Sequence, residues 1–227
     1  MHFLNAFRIR MITVILILFI FWQIFRHWPG SDDYANLERA IGSPVVVMVF
    51  YEALCPDSKH FILKQLLPSY DKAPSLIDFQ LVPYGKATTN TNRDGSLSFD
   101  CQHGPVECEA NTYHACTIEA VQDQKVLLDM IACMIKNNFR PKDAMISCAK
   151  ENRVDYEAIT KCFDSPHGAE LLKLHGEATA ALRPRVSFIP TITLDGSQGR
   201  QASILKDLLA EVCKIVAGHG PLPAPCL

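Results

Sequence analysis

The longest apolar run in the chain is "MITVILILFIFWQIF", residues 11–25, polar only at Thr13 and Gln23. Arg8 and Arg10 precede it, and a positive stretch followed by an apolar one is the pattern of entry into the secretory pathway. Residues 1–30 therefore read as a signal peptide or as a type II signal anchor, the anchor covering about 11–28. A second kind of run, "SPVVVMVFYEAL" at 43–54, is continuous and β-branched, as in strands covered on both faces. Pro56 suits the first position of a helix, and Phe61, Ile62, Gln65 and Leu66 follow at helical spacing. Residues 75–85 read as a second strand, so strand, helix and strand predict a parallel pair with a right-handed crossover.

The pattern then changes. Residues 86–100 are polar and turn-rich and predict a loop, and the cysteine-dense 101–116 predicts another. Residues 117–138 read as one helix, and Pro141 opens the next. Residues 154–163 are helical, and 165–182 form a helix capped by Ser165. Two short strands flank Pro190 within 185–196, with Asp195-Gly196 as a hairpin turn. Residues 201–218 read as one amphipathic helix closed by Gly218, and 219–227 as a proline-rich tail. The total is βαβ, a helical stretch, then ββα, with a cysteine after the first strand and Ile189-Pro190 before a later one. That order predicts an α/β protein with a thioredoxin-like fold over 43–218 and a cysteine-rich helical insertion at about 86–184.

Composition narrows the function classes. The 227 residues are 48% hydrophobic with net charge −2, which describes a globular chain without the basic stripe of a nucleic-acid binder. Neither a Gly-rich phosphate loop nor a His-Glu-x-x-His helix occurs, and no organic cofactor is expected. A membrane partner is expected only if the N-terminal segment is retained. Nine cysteines in a lumenal protein read as a disulfide framework, and an odd count leaves one over. Cys55 is the candidate, because it alone sits at a strand-to-helix junction. Connectivity among the other eight does not follow from sequence, though Cys213 with Cys226 would tie down the tail.

A cysteine opening a helix faces unpaired backbone N–H groups, which favour the nucleophilic thiolate. Asp57 opposes that effect, and a Ser58 hydroxyl one turn on could donate to the sulfur. Pro190, expected cis, would lie against Cys55, and Ile189 with it would shape a groove for an extended substrate at an exposed strand edge. Cys101, His103, Cys108 and Cys116 offer four metal ligands, but their spacing is not that of paired Cys-x-x-Cys, and a disulfide-stapled loop is expected with no metal. His103 and His114 then read as surface or hydrogen-bonded loop residues.

Cys101, Gln102, His103, Gly104, Glu107, Cys108, Asn111 and Cys116 match, position by position, the signature of the gamma-interferon-inducible lysosomal thiol reductase (GILT) family. The resemblance extends over roughly 44–216. It implies a thioredoxin-like fold, reduction of protein disulfides at acid pH in endosomes and lysosomes, and a link to immune defence. The family's dithiol site maps onto Cys55 and Ser58, so the nucleophile carries over and the resolving cysteine does not. The resemblance therefore implies a single-sulfur reductase in an endosomal, lysosomal or extracellular setting, acting on disulfide-containing proteins. An external small thiol would resolve the mixed disulfide. The rival expectation is a protein that keeps the fold and binds or traps partners without turnover. No Asn-x-Ser/Thr sequon occurs.

Overall fold

The computed structural model describes residues 16–23, 43–218 and 220–227. Two compact units are present, divided between Ser43 and Pro44. In the first, residues 16–23 are helical; the rest of the leader or anchor segment lies outside the described residues. No helix among the described residues is long and apolar enough to cross a membrane.

The second unit is built on a three-stranded sheet. β1 (Val45–Tyr51) lies at its centre, parallel to β2 (Ile77–Pro83) and antiparallel to β5 (Thr191–Leu194). Val45, Val47, Val49, Phe50 and Tyr51 are all buried, which is what a β-branched strand covered on both faces requires. The connection from β1 to β2 is helical: α1 (Pro56–Phe61), a π-helical turn at Ile62–Leu66, and α2 (Leu67–Lys72). Pro68 has no N–H for the carbonyl four residues back, and the widened turn falls at that place.

β3 (Thr88–Thr91) and β4 (Leu97–Asp100) pair as an antiparallel hairpin where a loop was expected. Most of its residues are exposed or half-buried, so neither face carries the apolar alternation that marks a strand. The insertion continues with α3 (Pro105–Ala120), α4 (Gln124–Met134), α5 (Pro141–Asn152), α6 (Tyr156–Phe163) and α7 (Pro166–Ala181). The cysteine-rich stretch is thus a sixteen-residue helix for most of its length, opened by Pro105 after Gly104 at φ 85°. It packs on β2 and on all four of the other insertion helices.

Two single helices read from the sequence are in fact pairs. Residues 117–138 break at Val121, and the Asp123 carboxylate accepts from the Val126 N–H as the cap of α4. Residues 201–218 divide into α8 (Gln201–Lys206) and α9 (Leu208–Ala217), where Asp207 accepts from the Ala210 N–H. In both, an aspartate that fits an exposed helical position instead satisfies the first orphan donors of a new helix. Before Pro190 there is no strand. After β5, Asp195 and Gly196 have φ of 48° and 79°, the turn expected, but the returning chain makes only the isolated bridge Leu194–Ser197.

The eight cysteines other than Cys55 form four disulfides: Cys101–Cys108, Cys116–Cys162, Cys133–Cys148 and Cys213–Cys226. The last is the pairing the sequence suggested. Cys116 leaves the signature to bind α6. These bridges consume the cysteines that might have held a metal.

Candidate functional site

Cys55 is the single free cysteine and stands at the N-cap of α1, 8% exposed. Its Sγ lies 3.8 Å from the carbonyl oxygen of Ile189, to which the thiol donates. The Ile189–Pro190 peptide is cis, and it is the Ile189 carbonyl that meets the sulfur. Ser58, one turn on, is fully buried, and its Oγ accepts from the Glu52 N–H at 3.3 Å. As an acceptor the hydroxyl is thus engaged with the turn ahead of Cys55.

The strand edge beyond Pro190 is less open than expected. The Gln201 side chain accepts from the Ile192 N–H at 3.0 Å and donates back to the Ile192 carbonyl. It thereby completes the outer edge of β5 as another strand would. In the segment before Pro190, Phe188 is 40% exposed.

The turn Glu52-Ala53-Leu54 presents Cys55, and the signature residues hold it. Ala53 N–H donates to Asn111 Oδ1 at 2.9 Å, and Asn138 Nδ2 donates to the Ala53 carbonyl at 2.8 Å. His114, fully buried, lies 2.8 Å from the Tyr51 hydroxyl through Nδ1 and 3.3 Å from Asn138 Nδ2 through Nε2. Glu52, 1% exposed, accepts the Lys86 N–H at 2.8 Å through Oε1. Glu107, fully buried, accepts the His103 N–H at 3.1 Å, and its other oxygen lies 2.6 Å from His103 Nδ1. Burial raises the Glu52 carboxyl, the Lys86 N–H opposes it, and the nearby Glu107 charge raises it further.

Of the residues expected from sequence, Cys55 and Ile189 meet at the sulfur, Ser58 is bonded to the turn just before it, and Pro190 follows Ile189 in a cis peptide. His103, Glu107 and Asn111 gather at the turn before Cys55. Cys101 and Cys108 staple the start of α3 around Gly104, Gln102 is exposed there, and Cys116 is buried away from the turn in the helical core. His114 is a correction: it is a buried helix residue bonded to Tyr51, not a loop histidine. Tyr51, Glu52, Gly85 and Asn138 were not picked out. Asn138 is 24 residues from His114 and 85 from Ala53, and no local pattern carries such contacts.

A sequence model of the family described as gamma interferon inducible lysosomal thiol reductase matches residues 46–152. A gamma-interferon-inducible lysosomal thiol reductase-like protein of Anopheles gambiae is 33% identical over 203 residues, covering 82% of this chain and 81% of that one. The chain belongs to the GILT family. A gamma-interferon-inducible lysosomal thiol reductase of Carassius auratus is 30% identical, with 86% and 80% covered. GILT-like protein C02D5.2 of Caenorhabditis elegans is 33% identical, and this chain spans 58% of its length. Among solved structures, the thiol-disulfide oxidoreductase MdbA of Actinomyces oris aligns at TM-score 0.53 with 13% identity, covering 78% of this chain and 80% of that one. DsbA of Chlamydia trachomatis aligns at 0.51 with 13% identity, covering 78% and 86%. These two likenesses bear out the thioredoxin-like fold.

The polar cluster of this GILT chain has a consequence for pH. Burial pushes the His114 imidazole down to about 4, against the contact with Asn138, and burial does the same to His175. Below pH 6.5 the unfolded chain takes up protons that these sites refuse until about pH 4. Their share of stability is full above 6.5 and is lost as pH falls toward 4, on the order of 2 kcal/mol each at pH 4.5. His114→Gln is expected to lose less stability than the parent between pH 7 and pH 4.5 in urea unfolding. An equal loss in both proteins would show that His114 is not held neutral.

Proposed function

We propose that the protein is a thiol–disulfide oxidoreductase acting on protein disulfides through Cys55 alone. The observation that carries this reading is one free thiol at a helix N-terminus, against the Ile189 carbonyl of a cis Ile189–Pro190 peptide, in a chain whose other cysteines are all bridged. The family relationship supports it, since relatives are named as thiol reductases.

The Cys55 thiolate attacks one sulfur of a substrate disulfide. The substrate S–S bond breaks, a Cys55–substrate disulfide forms, and the second substrate sulfur leaves as a thiolate that takes a proton. Ser58 provides no sulfur to resolve this species. A small external thiol such as free cysteine attacks the Cys55 sulfur and releases the reduced substrate. A second equivalent frees Cys55 and leaves as the small-molecule disulfide, so two thiols are oxidised for each substrate disulfide reduced. The named homologues and the four disulfides support an endosomal, lysosomal or extracellular lumen as the setting.

A second reading, capture without turnover, is favoured by one observation: Ser58 is buried and bonded to the Glu52 N–H where a resolving sulfur would stand. The deciding assay is reduction of a disulfide-bonded protein by the full chain with excess cysteine, at pH 4.5 and 7, beside Ser58→Cys. Turnover in the parent that rises with cysteine concentration supports the external-thiol reductase. A mixed disulfide that accumulates without turnover, with turnover appearing only in Ser58→Cys, supports capture. Absence of both in the parent would sink the proposal.

A further inference from the structure

Glu52, His103 and Glu107 come from three places in the sequence: the end of β1, the loop before α3, and the first turn of α3. One ligand atom from each, a carboxylate oxygen of either glutamate and a ring nitrogen of His103, lies within 4.8 Å of the other two; His103 Nδ1 is 3.4 Å from Glu52 Oε2 and 2.6 Å from Glu107 Oε2. We propose that these three residues form a binding site for a divalent transition-metal ion of the Zn²⁺ type, beside the turn that carries Cys55.

Three features distinguish the cluster from an ordinary charged surface. Both carboxylates are buried, Glu52 at 1% exposure and Glu107 at 0%. Each also uses its Oε1 to accept a backbone N–H, from Lys86 and from His103 respectively, which fixes the carboxylate and leaves Oε2 directed at the shared centre. Finally, Glu52 Oε2 has no hydrogen-bond partner, though it is buried. It lies 3.4 Å from His103 Nδ1, whose bond goes to Glu107 at 2.6 Å. A buried carboxylate oxygen without a donor is costly, and a cation at the centre would satisfy it.

The chemistry of the donors selects the ion. Two carboxylate oxygens and an imidazole nitrogen are a Zn²⁺-type set, with a further position left for water. Two negative charges and a neutral imidazole match one divalent charge. Metal–ligand bonds of about 2.0 Å in a tetrahedron place ligand atoms about 3.3 Å apart. The Glu52–His103 separation already has that value, and the His103–Glu107 pair must open by under about 1 Å. His103 can supply the movement, because its side chain is 32% exposed. Coordination through Nδ1 needs that nitrogen free of its proton, with the ring proton carried on Nε2. None of the cysteines takes part, since Cys101 and Cys108 are bonded to each other.

The site touches the proposed chemistry without being part of it. Glu52 also gives its N–H to Ser58, so an ion held by its side chain would stiffen the turn that presents Cys55. The test uses full-length Cys55→Ser protein, so that no thiol competes for metal. Zn²⁺ is titrated against a chromogenic chelator at pH 7, and Co²⁺ absorption reports coordination number. One equivalent is expected, with affinity reduced at least about tenfold in both Glu52→Gln and His103→Gln, and with a Co²⁺ spectrum of four- or five-coordinate type. Far-UV circular dichroism of each variant establishes that it is folded. Retention of full affinity in either folded variant overturns the proposal, as does the absence of Zn²⁺ binding by the parent at micromolar metal. The reductase assay is a separate readout, so a chain that binds Zn²⁺ and fails to turn over would refute the proposed activity and leave the site standing.

Discussion

Cys55→Ser is expected to lower disulfide-exchange activity by about a thousandfold or more while leaving the fold intact. The activity half follows from the count of sulfurs. Eight of the nine cysteines are bridged, so removing Cys55 leaves no thiol to form the mixed disulfide. A serine hydroxyl at the same place is no substitute, because it stays protonated where a thiol can ionise. The stability half follows from the contact the sulfur makes. Its polar partner is the Ile189 carbonyl at 3.8 Å, a weak bond to lose, and serine differs from cysteine by one atom, so the change should cost about 1 kcal/mol or less. The paired measurement is turnover with excess cysteine and the urea midpoint of both proteins. Alkylation of the native parent should label one thiol, at Cys55, by mass spectrometry. Activity surviving in the variant would mean that one of the four bridges opens to do the work.

Gly85→Ala is expected to cost about 3–5 kcal/mol of stability. Gly85 follows β2 with φ 62°, a conformation that favours glycine and costs about 1 kcal/mol or more with a side chain. The steric part is greater. An added Cβ would stand 2.2 Å from Glu52 Cγ and 2.4 Å from Glu52 Oε1. Glu52 would have to leave, and the Lys86 N–H would lose its acceptor. A buried carboxyl without its bonds adds the remainder of the cost. Urea unfolding of Gly85→Ala, Glu52→Ala and the double variant forms a cycle. If the overlap is the cause, the double variant is more stable than the sum of the two losses allows. Additivity would assign the whole loss to backbone strain instead.

What could be read from the residues themselves were features carried by local chemistry. The unbroken β-branched run announced a central strand, because only a strand covered on both faces has no polar face to show. Pro56, Pro141 and Pro166 marked helix starts, since proline's missing N–H is not needed there. The odd cysteine at a strand–helix junction pointed to Cys55, and the Ile-Pro before β5 pointed to the cis peptide found there. The signature residues identified the family.

The errors have physical causes too. Asp123 and Asp207 divide helices because a carboxylate can cap as readily as it can face solvent, and spacing alone does not separate the two. The β3–β4 hairpin escaped because its residues are too exposed to impose a period of two. The cysteine-rich stretch was mistaken for a loop because its buried polar residues break the usual amphipathic pattern. Asn111, His114 and Thr117 are buried through their bonds and not through their hydrophobicity.

The sequence by itself determined the fold class, the family, the one cysteine left unbridged and the serine at position 58. The tertiary structure decided what the signature is for. Only folding brings Glu52, His103, Glu107, Asn111 and Asn138 around one turn, through contacts that reach as far as the 85 residues between Ala53 and Asn138. It alone closes the edge of β5 with Gln201 and turns the Ser58 hydroxyl toward the Glu52 N–H. Local propensity is set by neighbours along the chain. Buried polar contacts are set by neighbours in space, where each donor must find its acceptor once water is gone.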